Sequence, residues 1–383
     1  MLNTPSPQTI ARAGVLDHCN TLTALTLDRL GLDSTRIRVE AAVRQFPLGA
    51  ERAIFFGQED IRAIVADAPI QLECISDGSA FAENEPVLAL TGRASDIALL
   101  RTSLTGVLSF YCSLITRMKE FVDVAHPRPV HFFGLRKIHP SHVLQYLLAA
   151  YVAGMEVDAT PLAHEVDPSL NLADCQEHLA NIVASSVEQS WDAFLSLGPE
   201  HHALHIVLDN SSDPVQEVHR AIAVLGSRMR GVLVDVDSTR RGHLRRIIDE
   251  VAWTLKLANR TDVAICLTGG VTPQTISQTK SVVASFGVGV NALQAPVLDF
   301  SFQVVEVEGK AKSKLGVLGG KKSAFVCGSC QSRTLALTDD SPTCCSQPMT
   351  SLLAPVAEQF DVIKRRRESR ERVHHLGLTI GQR

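Results

Sequence analysis

The sequence predicts an α/β protein centred on a set of parallel βα units, with a barrel favoured over an open sheet. Three observations carry that prediction. Apolar strand candidates recur at Val130–Leu135, Ala203–Asp209, Gly231–Asp235, Val263–Thr268 and Ser285–Val290. Most are followed by a helical pattern, at His142–Val152, Pro214–Leu225, Leu244–Leu257 and, in part, Pro273–Phe286. Strands alternating with helices at about 20 to 35 residue spacing imply parallel pairing, in a doubly wound sheet or in a barrel. No G-x-G-x-x-G follows the first strand and no Walker loop is present, so the open nucleotide-binding sheets lack their signature. In a barrel, functional groups gather at the C-terminal ends of the strands.

The flanking elements follow from local pattern. The first 35 residues hold short helical patterns. "RIRVEAAVRQF" and "APIQLECISDG" read as strands, and "GSAFAENEPVLALTGRA" alternates like two strands around a turn at Glu83–Pro86. Ile97–Phe121 turns helical. After Pro296 comes a strand-like run, "VLDFSFQVVEVEG", then a loop rich in Lys and Gly, "GKAKSKLGVLGGKK". A cysteine segment occupies about 326–350, and the chain closes on "IKRRRESRERVHH", a charged helix whose like-charge run reads as a solvated face or tail.

With 383 residues and a hydrophobic fraction of 45%, the chain has room for two domains or for one large barrel with additions. Its net charge of −4 sets up no global basic field for nucleic acid. No charged-then-apolar leader opens it, and its apolar runs break before the roughly 18 residues of a membrane span. A cytoplasmic protein is expected. Cys19, Cys74, Cys112, Cys175 and Cys266 are scattered singly and read as reduced core residues. Cys327, Cys330, Cys344 and Cys345 cluster behind a C-x-x-C and read as a metal site.

The strand candidates end in "FFGLRKIHP", "VLDNSSD", "VDVDSTRRG", "CLTGGVTP" and "FGVGVN". Glycines at a strand-to-helix turn let backbone N–H groups approach an anion. Gly269–Gly270 and Gly287–Gly289, in consecutive units, therefore form a candidate phosphate site. Basic groups beside acids point to a polyanionic substrate carried with a divalent metal. Mg²⁺ takes one or two carboxylates plus substrate phosphates, which makes Asp209 and Asp235 candidate direct or indirect ligands. Each of these acids could equally cap a helix or pair with an arginine. Arg240 and Arg241 sit at a helix start, where cations are unfavourable, unless an anion binds there or Asp235 and Asp237 neutralise them. Arg245 and Arg246 read as surface or subunit contacts.

Taken together, "FFGLRKIHP", "ATPLAHEV", "DVDSTRRG", "LTGGVTPQTI", "FGVGVNAL" and "PVLDFSFQVVEVEGKAKSKLG" resemble nicotinate phosphoribosyltransferases of the shorter form that carries a C-terminal zinc knuckle. The likeness also takes in "ENEPVLALTGRASDIALLRTSLTGVL" and so runs in order over about residues 40 to 350. It implies the incomplete α/β barrel of the type II phosphoribosyltransferase fold. The organisation implied is an N-terminal α/β domain (1–115), the barrel (116–300), a strand and loop returning to the N-terminal domain (301–325), a zinc-knuckle-like segment (326–355) and a charged helix or tail (356–383).

The activity implied is transfer of ribose 5-phosphate from phosphoribosyl pyrophosphate to nicotinate, coupled to ATP hydrolysis, in a homodimer. The resemblance places His164 on the histidine phosphorylated by ATP, and Asp209 and Asp235 among the catalytic acids. Thr116, Arg117 and Arg136, with Lys137, His139, Arg240 and Arg241, fall among the substrate-binding groups. Mg²⁺ and ATP are the implied co-factors, with structural Zn²⁺ on the four cysteines.

Several positions depart from the family pattern. Leu233 replaces an arginine, Val236 and Val290 replace hydroxyl residues, Arg101 stands where glutamate is usual, and one extra residue follows Thr160. Cys344 and Cys345 are adjacent, so both can ligate one ion only if the backbone bends between them. A quinolinate-type enzyme, a non-catalytic homologue that binds a phosphometabolite, and a nucleic-acid module built on the cysteine segment are the competing readings.

Overall fold

The computed structural model describes residues 4–11, 14–47, 50–157, 162–170, 176, 178–197, 205–208, 210, 212–235, 242–356 and 361–376. The chain divides into two compact units, residues 117–295 and residues 1–116 with 296–383.

The unit 117–295 holds six parallel strands: β1 (Val130–Phe132), β2 (Glu156–Val157), β3 (His205–Val207), β4 (Gly231–Asp235), β5 (Ala264–Thr268) and β6 (Ser285–Val288). Their lateral order is β2-β1-β6-β5-β4-β3. The first strand therefore pairs with the last, through Val130↔Phe286, His131↔Gly287 and Phe132↔Val288. A doubly wound sheet does not bring its first and last strands side by side; a ring does. Among the described residues no pairing joins β2 to β3, so the ring is open there. This is the incomplete barrel, and it decides between the two architectures that alternation alone left open.

Burial follows the two-residue period of strands. Val207, Leu233 and Cys266 lie in register across β3, β4 and β5 and pack together with Phe133. The intervening Ile206, Val232, Val234, Ile265 and Leu267 are also buried, as expected where both faces of a parallel sheet are covered.

The helices α1 (Val143–Ala153), α2 (Ala163–Val166), α3 (His178–Val183), α4 (Val187–Leu195), α5 (Pro214–Leu225), α6 (Leu244–Leu257), α7 (Pro273–Thr279) and α8 (Val290–Leu293) follow or connect the strands. Asp213 caps α5 by accepting from the Val215 N–H, and Thr272 caps α7 by accepting from the Thr275 N–H; each helix has proline in its first turn. The helical pattern extended to Phe286, but α7 stops at Thr279 because Ser285–Val288 is needed as the closing strand. Arg245 makes contacts within the chain: it binds Asp249 at 2.9 Å, the Gln278 carbonyl at 2.7 Å and the Ser281 hydroxyl at 3.2 Å. Arg246 is exposed.

The other unit is built on an antiparallel sheet. Its order is Lys310–Ala311, Phe300–Val307, Arg36–Val43, Leu88–Arg93, Gln71–Cys74 and Ala354–Pro355. The two strands expected around Glu83–Pro86 do not pair with each other. Ala80–Phe81 pairs with Ala53–Ile54, while Leu88–Arg93 pairs with Arg36–Val43 and Gln71–Cys74. The turn is taken up instead by Glu85, which accepts from the Ala82 N–H at 2.9 Å and pairs with Arg333.

The helix Ala94–Ala125 is long and apolar enough to cross a membrane by length and composition, which the interrupted apolar runs did not foretell. Half of its most apolar window is buried inside the protein, and Leu104, Leu108 and Cys112 belong to the core beneath the sheet.

The C-terminal helix Val362–His374 keeps a solvated charged face, with Lys364, Arg367, Glu368, Glu371 and Arg372 exposed, and buries the opposite one. Ser369 and Val373 are fully buried, and Arg366 makes a two-point ion pair with Glu59 at 3.1 and 2.9 Å. Gly78, at φ +79°, lies so close that a Cβ there would meet the Ser369 carbonyl at 2.6 Å; only glycine suits this backbone and this approach.

Beside it, the buried Asp77 carboxylate accepts from the Gly57 and Gln58 N–H groups at 3.0 and 3.2 Å. Burial pushes Asp77 up to about 7, against those N–H donors and the nearby Arg365 and Arg372. The ordinary value is 3.8, so between about pH 4 and 7 the folded state holds a proton that the unfolded state has released. Stability contributed by Asp77 is thus fully present below about pH 4 and is lost as pH rises through about 7. Denaturant unfolding across this window should show a loss on the order of a few kcal/mol, and Asp77→Asn should flatten it; an unchanged slope in the variant would assign the effect elsewhere.

Candidate functional site

Parallel pairing puts the C-terminal ends of all six strands on one edge of the barrel sheet. Asp235 is the last residue of β4, facing Thr268 at the end of β5. Gly269 and Gly270 follow β5 with φ of +81° and +65°. A Cβ on Gly270 would meet nothing within 4 Å, so that stretch of backbone is open to a ligand. Gly289 follows β6. Arg136 and Lys137 lie in a 3-10 turn directly after β1, and His139 follows them; all three are exposed. His139 Nδ1 accepts from the Ser141 N–H at 3.3 Å and lies 2.7 Å from its hydroxyl. His164 is exposed on the short helix α2, beyond β2. Asp209, Arg240 and Arg241, with Asp237 and Val236, lie outside the described residues.

The edge is braced from within the unit. Asn291 donates through Nδ2 to the Gly270 and Val271 carbonyls at 3.1 and 2.9 Å, tying the turn after β5 to the turn after β6. Arg117 holds the Asn291 carbonyl at 3.3 Å, pairs with Glu120 and stacks over Phe121 at 4.7 Å. The structure thus gives Arg117 a bracing role. The neighbouring Thr116 hydroxyl is likewise committed within its own unit: it accepts from the Ile54 N–H at 2.9 Å and donates to the Cys112 carbonyl at 2.6 Å. Neither residue needs a substrate to account for its contacts.

Gly287 also has a different reason from the one its sequence context implied. It belongs to β6 itself, and a Cβ there would lie 2.3 Å from the Phe133 ring. The glycine makes room for Phe133 to enter the barrel. Phe133 packs on Val207, Leu233 and Cys266 and stacks near His131, with centroids 6.1 Å apart. Burial pushes His131 down to about 4, so its imidazole is neutral. Leu233 is part of a largely apolar layer below Asp235.

Sequence pattern missed a second cluster at this edge. His178 Nε2 lies 3.7 Å from Asp235 Oδ2, and His178 Nδ1 lies 2.9 Å from Asn210 Oδ1. Asn210 donates to the Val207 carbonyl at 2.9 Å and to Glu217 at 3.0 Å, and also receives Asn181 Nδ2 at 2.8 Å. Glu217 is fully buried on α5. An acid in the first turn of a helix is ordinary in sequence; its burial under Asn210 is visible only in three dimensions.

The four clustered cysteines bring their sulfur atoms within 4.8 Å of one another. Cys330 and Cys344 are 3.6 Å apart, Cys344 and Cys345 3.9 Å. Tetrahedral zinc with Zn–S bonds of about 2.3 Å places its sulfurs about 3.8 Å apart, so the set fits one ion. The adjacent pair manages this because Cys345 and Ser346, at φ +49° and +62°, form the tight turn between Thr343–Cys344 and Gln347–Pro348. Ser332, whose hydroxyl is 3.2 Å from the Cys330 sulfur, helps pull that thiol down to about 6, toward the thiolate a metal requires.

Residues 24–112 match the family described as quinolinate phosphoribosyl transferase, N-terminal domain, and residues 114–303 match its C-terminal domain. A nicotinate phosphoribosyltransferase of Mycobacterium tuberculosis is 24% identical over 263 residues, covering 65% of this chain and 55% of that protein. The chain thus spans a little over half the length of the curated relatives it matches. Among solved structures, nicotinate-nucleotide pyrophosphorylase from Pyrococcus furiosus is similar over 97% of each chain, with a TM-score of 0.90 and 25% identity. Human nicotinic acid phosphoribosyltransferase is similar over 94% of this chain and 92% of its own, with a TM-score of 0.68 and 17% identity. The latter likeness bears on the fold alone.

The cysteine geometry predicts that Co²⁺ added to the metal-free chain gives the intense thiolate charge-transfer bands of a four-sulfur tetrahedral site. Zn²⁺ should displace the Co²⁺ and raise the melting temperature, and Cys327→Ser should lose both effects. Octahedral Co²⁺ spectra would exclude the site.

Proposed function

This chain belongs to the phosphoribosyltransferase family whose N- and C-terminal domains it matches, and from that premise we propose that it transfers a 5-phosphoribosyl group from phosphoribosyl pyrophosphate to a pyridine carboxylate, nicotinate in first place. The observation that carries this reading is the gathering of Asp235, the open Gly269–Gly270 turn and the Arg136–His139 segment on one edge of one parallel sheet.

In the reaction the pyridine nitrogen bonds to C1 of the ribose as the C1–O bond to pyrophosphate breaks, and pyrophosphate leaves with the bonding pair. The positive charge on the sugar and the negative charge on the leaving group need matched partners rather than a strong base. Arg136 and Lys137 supply cations for an anionic oxygen. Asp235 faces the other way in charge and suits the ribose side of the site. A magnesium ion, when bound, draws off charge from the pyrophosphate, and Asp235 is the described carboxylate that fits one. Zinc on the cysteines would be structural, because four thiolates leave no open position. The described cysteines are free, in keeping with a reducing, cytoplasmic setting. ATP coupling through His164 and a homodimeric assembly complete the reading.

Phe133, partly exposed above the buried Val207, Leu233 and Cys266, suits the flat ring of a pyridine acid. The match to quinolinate phosphoribosyl transferase domains supports the second reading, in which quinolinate is the acceptor.

Incubation with phosphoribosyl pyrophosphate and Mg²⁺ should yield nicotinate mononucleotide from nicotinate, with quinolinate turned over at least about tenfold more slowly. The opposite preference would move the assignment to quinolinate, and retained donor binding without product from either acid would make the chain a binding protein. Asp235→Asn should lower kcat by about a hundredfold or more at an unchanged melting temperature. His164→Ala should abolish stimulation by ATP while ATP-independent transfer persists; a full ATP response in that variant would remove His164 from the coupling.

A further inference from the structure

We propose that a cavity beside the C-terminal helix Val362–His374 is a binding site for a small aliphatic α-amino acid in its zwitterionic form. The inference stands apart from the transfer reaction proposed above: every residue it uses lies in the unit of residues 1–116 with 296–383.

The cavity has a volume of about 190 Å³. A cavity of about 150 Å³ admits benzene, so this one has room for a ligand of about six to eight non-hydrogen atoms. Part of its wall is one face of the helix. Arg365, Glu368 and Arg372, three and four residues apart, share that face and line the cavity. The helix is held in place by the Arg366–Glu59 pair and by Ser369, buried against Gly78.

Another part of the wall carries Gln58 and Asp77, only 5% and 3% exposed. Asp77 is committed. Its Oδ1 accepts from the Gly57 and Gln58 N–H groups, and its main-chain carbonyl accepts from Arg372. Gln58 is not fully committed. Its Nε2 donates to the Ile75 carbonyl at 2.7 Å, which fixes that end of the amide as the NH₂. Its Oε1 is buried and makes no hydrogen bond among the described residues. Cys74, which also lines the cavity, brings only a thiol, a weak donor. A buried acceptor without a donor is rare in a folded protein and points to a partner from outside the chain.

The charges select the partner. The guanidinium groups of Arg365 and Arg372 suit a carboxylate, and the bond to the Asp77 carbonyl uses one of the five N–H donors that Arg372 carries. Glu368 and Gln58 Oε1 are acceptors and suit an ammonium group. A plain carboxylate ion leaves the acceptors unanswered, and a plain amine meets two guanidinium groups. One small molecule with both charged groups answers both sets. Ala354, Pro355 and Val356 add an apolar stretch of wall for a short aliphatic side chain.

The test is calorimetric titration of the full chain with L-alanine, propionate and ethylamine, which carry both charged groups, the carboxylate alone and the ammonium alone. L-Alanine should bind with unit stoichiometry, and propionate and ethylamine should each bind at least about tenfold more weakly, the loss of one charge-assisted hydrogen bond. Glu368→Gln, a change at an exposed position, should weaken L-alanine by about tenfold and leave propionate as it was. Gln58→Met should act in the same direction, whereas Arg372→Gln should weaken L-alanine and propionate alike. Binding should persist in Asp235→Asn, a change in the other unit. L-Alanine binding no tighter than propionate, or both weakening equally in Glu368→Gln, would overturn the zwitterion. Folded wild type that binds no L-alanine, or loss of binding in Asp235→Asn, would overturn the site itself.

Discussion

The pairing of β1 with β6 is the constraint on which the rest of the unit 117–295 depends. Three registered pairs, Val130↔Phe286, His131↔Gly287 and Phe132↔Val288, join the first strand to the last and convert a row of parallel strands into a ring. Once the ring forms, every strand ends on the same rim. Residues 99 positions apart, Arg136 and Asp235, then belong to one edge. Without this pairing the same βα units would lie in an open sheet, and the turns after β1 and β6 would be at its opposite margins.

Closure has a packing requirement that explains two residues at once. Phe133 enters the ring where β6 presents Gly287, and any side chain on that strand position would overlap the ring. The aromatic ring then completes an apolar layer with Val207, Leu233 and Cys266. Leu233 occupies a position where the resembled family carries an arginine. Here it contributes to a neutral floor, and the neutral His131 below continues it. Among the described residues, Asp235, Arg136 and Lys137 place charge at the strand ends, in contact with water. That division suits a substrate with a flat apolar ring and charged periphery.

The other unit is held by contacts between segments far apart in sequence. Glu40, buried between Arg38 and Lys322, accepts from the Lys322 N–H at 2.9 Å and forms an ion pair with its Nζ at 3.0 Å. Arg333 returns to Glu85, and Arg366 to Glu59. Buried ion pairs of this kind add little net stability over an apolar contact, but removing one partner is strongly unfavourable. They fix which segment docks where. Arg333 ties the strand beside the cysteine segment to the turn at Glu85, and Arg366 ties the C-terminal helix to the helix Gln58–Val65.

The sequence by itself determined the elements whose signals are local. Pro214–Leu225 and Leu244–Leu257 have the predicted bounds, because helical periodicity and, for the former, an Asp-Pro start are read within a few residues. Gly231–Asp235 is a continuous apolar run closed by an acid, and the cysteine spacing announced a cluster. What only the tertiary structure decided was set by contacts between distant segments. Ring closure, the two-residue strand β2, the burial of Ser369 under a charged run and the reason for Gly287 all depend on a partner far along the chain. The His178–Asn210–Glu217 array is the clearest case: three ordinary polar residues on separate elements, joined by hydrogen bonds only when β3 and α5 bring them beside the end of β4. Side-chain hydrogen bonding across a fold leaves no periodicity in the sequence, so pattern could find the barrel and its acid but not the residues gathered beside it.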